Sequence, residues 1–230
     1  KLDQIPVLIK ALEDANVRQG ASIALTRLGA ETIPALRKSL TSDNAELVTW
    51  SAYTLGQIGP EAKSAVGDLT KALKHSDPAV RAASAQSLGK IGNAASTAVP
   101  ALARALDDEG KEVRLSCAVA LGQIGTSSPE AIKKLIDLLS DSKARKLARE
   151  ALIQIGKPAV APLLKSVDRD AIRFDVTSAL RKIDPETAEK AGLEKPTVSD
   201  LPALRLVLHD LSRDPAERTR AASALASLGI

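Results

Sequence analysis

Few residues in this chain have the types and spacing to do chemistry, and they are scattered. Histidine occurs twice, at His75 and His209, and cysteine once, at Cys117. A metal centre needs three or four such donors at short spacing, and neither histidine has a Cys or His at ligand spacing. A single Cys with no aligned His lacks the base that would activate it. The sequence has no Gly-rich phosphate loop and no G-x-S-x-G elbow. We therefore assign no catalytic residue, metal or cofactor from the sequence. Two patterns remain. Arginine recurs as Arg18, Arg81, Arg114, Arg145, Arg173 and Arg218, a row able to hold carboxylates or a nucleic acid. Trp50 and Tyr53 are two of the three aromatics, the third being Phe174; spaced by three, they share a helix face.

Both patterns sit on a repeat. An apolar run closing on Gly returns as LTRLG (25–29), LGQIG (55–59), LGKIG (88–92), LGQIG (121–125), LIQIG (152–156), a degenerate LRKID (180–184) and LASLG (225–229). The intervals are 30, 33, 33, 31, 28 and 45 residues. A period of this size means a solenoid, each unit burying its apolar face against its neighbours. The expected units are approximately 1–29, 30–59, 60–92, 93–125, 126–156, 157–184 and 185–230, all within a single solenoid domain spanning 1–230.

Each unit reads as two helices. Helix A carries apolar residues at i, i+3 and i+7, as in IPVLIKAL (5–12) and VPALARAL (99–106). Pro6, Pro34, Pro100 and Pro202 share one place in it, so helix A is expected to begin just before them or to bend there. A polar turn with a recurrent Asp follows: Asp14, Asp43, Asp77, Asp108, Asp141, Asp168 and Asp214. Asp77-Pro78 and Asp214-Pro215 are strong helix-start signals. Helix B then runs to the closing Gly, which permits a left-handed exit. Four residues before that closing position stands Leu in every unit, from Leu25 to Leu225. Eight before it stand mostly small residues, Cys117 among them, so Cys117 reads as packing. Eleven before it stands the Arg row, broken only by Val48. One Arg per repeat, about a turn past the Asp, reads as a structural ladder between successive turns. That ladder comprises Asp14, Arg18, Asp43, Asp77, Arg81, Asp108, Arg114, Asp141, Arg145, Arg173, Asp214 and Arg218, and we prefer it to a nucleic-acid contact.

The face of helix B opposite the core is the expected binding ridge. Its columns hold Arg27, Ile23 and Gly20; Gln57, Tyr53 and Trp50; Lys90, Gln86 and Ala83; Gln123, Val119 and Ser116; then Gln154, Glu150 and Leu147. Aromatic residues on such a face act as interface anchors, although Trp50 could instead be tucked between repeats as core. The partner-binding set is Ile23, Arg27, Trp50, Tyr53, Gln57, Gln86, Lys90, Val119 and Gln123. A second row, Lys10, Lys38, Lys71, Arg104 and Lys165, interrupted by Asp137, reads as a solvated face of the A helices.

On these motifs the chain resembles the HEAT-repeat family, in the short bacterial form related to phycobilin-lyase-type repeats. The helix A pattern, the turn Asp, the Val-Arg pairs (Val17-Arg18, Val80-Arg81, Val113-Arg114) and the closing LGxIG carry the resemblance. It implies an all-α, right-handed α-solenoid of about seven hairpins, with A helices outside and B helices lining a concave surface. The family includes scaffolds, adaptors, chromophore lyases and a few enzymes, so fold alone does not give activity. Its iron-binding members use His-Glu pairs, which this sequence lacks. The expected function is a non-catalytic scaffold that binds a protein or peptide. The alternatives are a phycobilin-lyase-like chromophore-handling protein and, less favoured, a nucleic-acid-binding repeat protein.

Composition agrees with this reading. A net charge of +4, from 32 basic and 28 acidic residues, is weak evidence for a polyanionic partner. No apolar run approaches the ~20 residues of a membrane span, and the lone Cys117 gives no evidence for an oxidising compartment; the sequence leaves the compartment open, with the cytoplasm favoured. The stretch 185–200, with two Pro and mixed charge, is expected to be a loop or a loop with one short helix near Glu186–Ala191. With no polar capping helix after Ile230, the chain is expected either to be part of a longer protein or to pair with another chain at its ends.

Overall fold

The computed structural model describes residues 2–193, 200–210 and 213–228. Among them there is no strand, and the chain is all-α. Two compact units, Lys1–Ala131 and Ile132–Ile230, are distinguished by their internal contacts.

In the first unit, hairpins form from α1 (Ile5–Ala11) and α2 (Arg18–Leu28), α3 (Ile33–Ser39) and α4 (Ala45–Ile58), α5 (Val66–Ala72) and α6 (Pro78–Ile91), and α7 (Val99–Ala105) and α8 (Lys111–Ile124). Pro6, Pro34 and Pro100 stand in the first turns of their helices, where a missing N–H costs nothing. Each B helix packs on the next, α2 on α4, α4 on α6 and α6 on α8. Leu25, Leu55, Leu88 and Leu121 are fully buried between them. Gly59–Ala65 and Gly92–Ala98 form 3-10 turns that lead into the following A helices, and Ala62, Ala65, Ala95 and Ala98 are buried in them.

The closing glycines differ from the expected left-handed exit. Gly29, Gly59, Gly92 and Gly156 combine φ of 66 to 77° with ψ near −140°, and among the described closing glycines only Gly125 is left-handed helical. The mirror-β region that these four occupy is open essentially to Gly alone, a stricter demand than a left-handed turn. Asp184, where Gly was expected, has φ −149°, and its carboxylate accepts the Thr187 N–H. There the chain leaves the helix extended, so Asp serves as the cap of the next helix and Gly is not required.

In the second unit, α9 (Pro129–Asp137) precedes α10 (Arg145–Ile155), and α11 (Val160–Leu164) pairs with α12 (Asp170–Ile183). The stretched interval contains a short helix, α13 (Pro185–Lys190), and residues 194–199 of the expected insert lie outside the described residues. The last hairpin comprises α14 (Leu201–His209) and α15 (Pro215–Ser227). It meets α12 mainly through α14, its A helix, whereas α10 and α12 in the same unit meet B on B.

The Asp of the turns plays several roles. Only Asp77 and Asp214, the two followed by Pro, cap the B helix directly, accepting from Ala79 and Ala216 N–H at 2.7 Å. Asp14, Asp108 and Asp141 form local turns ahead of the helix, accepting from Asn16, Gly110 and Lys143 N–H. Asn44 takes the capping role beside Asp43, accepting from Glu46 and Leu47 N–H.

Candidate functional site

The ridge of the first unit is built across three successive B helices. Trp50 and Tyr53 on α4 meet edge to face, with ring centroids 5.4 Å apart and planes at 69°. The Arg18 guanidinium from α2 lies 5.8 Å from the Trp50 ring centre, and the Lys90 ammonium from α6 lies 5.0 Å from that of Tyr53. Each cation faces a π-system whose negative face attracts it. The pair is thereby held from both sides by neighbouring repeats. Tyr53 is 38 % exposed and Ile23 48 %, while Trp50 is only half-exposed. Trp50 thus partly backs Tyr53 and partly meets solvent, between the two alternatives of full anchor and full core.

Around this pair, Arg27, Gln57, Gln86, Lys90 and Gln123 are exposed and Val119 is half-buried. Gln86 donates to the Ser116 hydroxyl on α8 at 3.2 Å, extending the polar border by one repeat. An apolar centre with amide and cationic borders can accept an extended or helical chain that offers apolar side chains flanked by hydrogen-bonding or acidic groups.

The Arg row lies in the inter-helix turns. Arg81 is the most complete case: Nε and Nη2 hold both Asp108 oxygens at 2.8 Å, and Nη1 donates to the His75 and Ser76 carbonyls. Arg81 thus ties its own turn to that of the next repeat. The bond to Arg81 holds the Asp108 carboxyl below its ordinary range, against the opposing effect of burial. Arg114 Nη1 donates to the Asp108 and Glu109 carbonyls, and Arg173 Nη1 to that of Val167, repeating the inward half of the pattern. The outward half varies. Arg18 reaches Glu46 and not Asp43, Arg173 reaches Asp200 at 2.5 Å, and Arg145 reaches Asp210 at 2.5 Å, sixty-five residues on. Arg218 donates to the Leu208 carbonyl at 3.2 Å. Val48, which breaks the row, is fully buried. These guanidinium groups are engaged by the protein itself.

One cluster had no place in the sequence reading. Arg149, Asp175, Arg213 and Glu217 form a buried ring of charges in the second unit. Arg149 bonds Asp175 at 2.7 Å and also Glu217, and Arg213 bonds Asp175 at 2.6 Å and Glu217 at 3.3 Å. Asp175 is fully buried and Arg213 is 3 % exposed at its side chain. Two cations and two carboxylates balance, which is what a buried set of charges requires. The available signal was Asp175 itself. In the sixth unit an acid fills the column held by Gly20, Trp50, Ala83 and Ser116, and only the tertiary fold brings Arg149 and Glu217 to it.

Cys117 is fully buried on α8, and burial pushes its thiol up to about 12. His75 shapes a turn, its Nδ1 accepting the Asp77 N–H at 3.0 Å, and His209 ends α14. Lys10, Lys38, Lys71, Arg104, Asp137 and Lys165 are all exposed. Among the described residues, no three of His, Cys, Asp and Glu converge as a metal would need, and no helix is long and apolar enough to cross a membrane.

The family model for HEAT repeats matches residues 5–66, 54–109 and 67–154. No match is found among curated proteins. Several solved structures are similar. An engineered protein is 25 % identical with TM-score 0.53, the alignment covering 88 % of this chain and 96 % of that one. The complex of CpcE and CpcF of phycocyanin lyase from Nostoc sp. PCC7120 gives 22 % identity and TM-score 0.56 over 67 % of this chain and 99 % of that one. A designed armadillo repeat protein in complex with the peptide (KR)4 gives 20 % and 0.52 over 97 % and 99 %. The latter two show a shared fold alone.

Proposed function

This chain belongs to the HEAT-repeat family, and from that premise we propose that it is a non-catalytic scaffold which binds a protein or peptide along the B-helix face of its first unit. The observation that carries the reading is the Trp50–Tyr53 pair, braced by Arg18 and Lys90 beside exposed Ile23. A rigid aromatic pair loses little entropy on binding and contributes large contact area. Arg27 and Lys90 at the border favour acidic side chains next to the apolar anchor. The designed armadillo protein above takes a basic peptide; here the border charge calls for the opposite sign.

A random peptide library displayed on phage and selected on the whole chain tests this. Enriched peptides are expected to carry an apolar or aromatic residue flanked by Asp or Glu. Tyr53→Ala should weaken them by roughly thirtyfold, the scale of an interface hot spot. Selected peptides that bind Tyr53→Ala and Trp50→Ala as tightly as the native chain would remove the ridge from the account.

A further inference from the structure

The second unit holds a cavity of about 380 Å³ between α12, α14 and α15, well away in sequence from the ridge. That volume falls at the lower end of small-molecule sites, about 300–1,000 Å³. Its floor is apolar: Phe174, Ala203, Leu204 and Ala224, lying over the core of Leu204, Val207, Ala221 and Leu225. Among the described residues its walls are basic: Arg173, Arg181, Lys182 and Arg220, against Asp200 as the one lining carboxylate. Asp200 is engaged with Arg173, which the Val167 carbonyl also holds. Among the described residues, Arg181 and Arg220 donate from Nε alone, toward the Leu193 and Ala216 carbonyls.

The contrast with the neighbouring buried ring is informative. Next to Phe174, Asp175 belongs to a set with two cations and two carboxylates. One helix turn away, the described residues of the same helices gather four cations with one carboxylate. Like charges assembled over an apolar floor repel one another, and an anion placed among them relieves that repulsion. Ser178 and Lys182 also occupy, in the sixth unit, the columns that hold Tyr53 and Gln57 in the second, so the cavity opens on the same helix face.

We propose that this cavity binds a small amphiphilic anion, an apolar body on the Phe174–Leu204 floor with a carboxylate or phosphate head held by Arg181, Lys182 and Arg220. The head is the shared chemistry, and the test separates the two sources. Calorimetric titration of the whole chain uses octanoate, octyl phosphate, inorganic phosphate and octyltrimethylammonium. One or both octyl anions should bind, inorganic phosphate more weakly for want of the floor, and the cation not at all. The affinity should fall with salt. Arg181→Gln and Arg220→Gln together, both at exposed positions, should weaken binding roughly tenfold or more while circular dichroism is unchanged. Absence of binding by either octyl anion at millimolar concentration, equal binding of the octyl cation, or unchanged affinity in the double variant would each overturn the proposal.

Discussion

Gly56→Ala isolates the packing that sets the repeat. A methyl built on Gly56 would lie 2.8 Å from Ser87 Cα and 3.0 Å from Ser87 Cβ on the next B helix, and 2.7 Å from its hydroxyl. Carbon atoms pack at about 3.5–4.0 Å, so α4 and α6 would have to part by several tenths of an ångström. Ser87 cannot turn aside freely, because its one hydroxyl proton is shared between the Ala52 carbonyl at 2.7 Å and the Ala83 carbonyl at 2.8 Å. Overpacking of this kind costs roughly 1–3 kcal/mol, and Ala in place of a mid-helix Gly returns about 1 kcal/mol. The net is a loss of roughly 1 kcal/mol, reaching about 2 if the helices cannot relax. Gly20→Ala on α2 is the control: nothing lies within 4 Å of its added methyl, so it should stabilise by about 0.5 kcal/mol. The assay is urea unfolding followed by the fluorescence of Trp50, the chain's one Trp, on the same helix as Gly56. With a urea slope of about 1–3 kcal/mol/M, the Gly56 midpoint should fall by roughly 0.5 M and the Gly20 midpoint should rise. If both variants stabilise alike, close helix approach is not what this glycine provides.

Four further outcomes follow from other contacts. Ser84→Ala should stabilise by roughly 1 kcal/mol in a urea melt, since the buried Ser84 hydroxyl has no hydrogen-bond partner and other repeats place Ala in that column. Asp175→Asn should destabilise by about 3–5 kcal/mol by leaving Arg149 and Arg213 short of a buried countercharge; a loss under about 1 kcal/mol would show the ring to be solvated. Because Arg81 holds the Asp108 carboxyl below its ordinary range, the pair contributes fully above about pH 4 and fades as pH falls through the lowered value. Native chain and Asp108→Asn should therefore differ in stability at neutral pH and converge in acid. Cys117, with its thiol at about 12 against an ordinary 9.0, should react with a thiol reagent at pH 8 roughly a thousandfold more slowly than in urea, from thiolate fraction alone; native labelling at the unfolded rate would place it on the surface.

The fold was largely legible because a repeat states its packing several times over. One Leu column or one Pro column could be chance, whereas seven Leu at one phase leave a single helical solution, and all seven are buried. The two Asp-Pro caps were legible for the same local reason, since an N-cap depends on neighbours in sequence. The first Gly of LGxIG was visible as a repeated letter without a cause. The cause lies about thirty residues away, in Ser87 for Gly56 and Ala120 for Gly89, and a linear period gives no distance between helices.

The sequence by itself determined which residues turn inward, where helices start and stop, and that no set of reactive groups recurs at the spacing of a catalytic or metal site. Those are properties of local periodicity and residue type. Only the tertiary structure decided that Arg18 and Lys90 brace the aromatic pair, that Arg145 reaches Asp210 and not a nearer acid, and that Arg149, Asp175, Arg213 and Glu217 close into one ring. The last hairpin presents its A helix to α12, and that docking gathers charges from distant stretches of chain into both the neutral ring and the basic cavity. Electrostatic energy depends on distance through space, and side chains 65 residues apart have none assigned until the helices are packed.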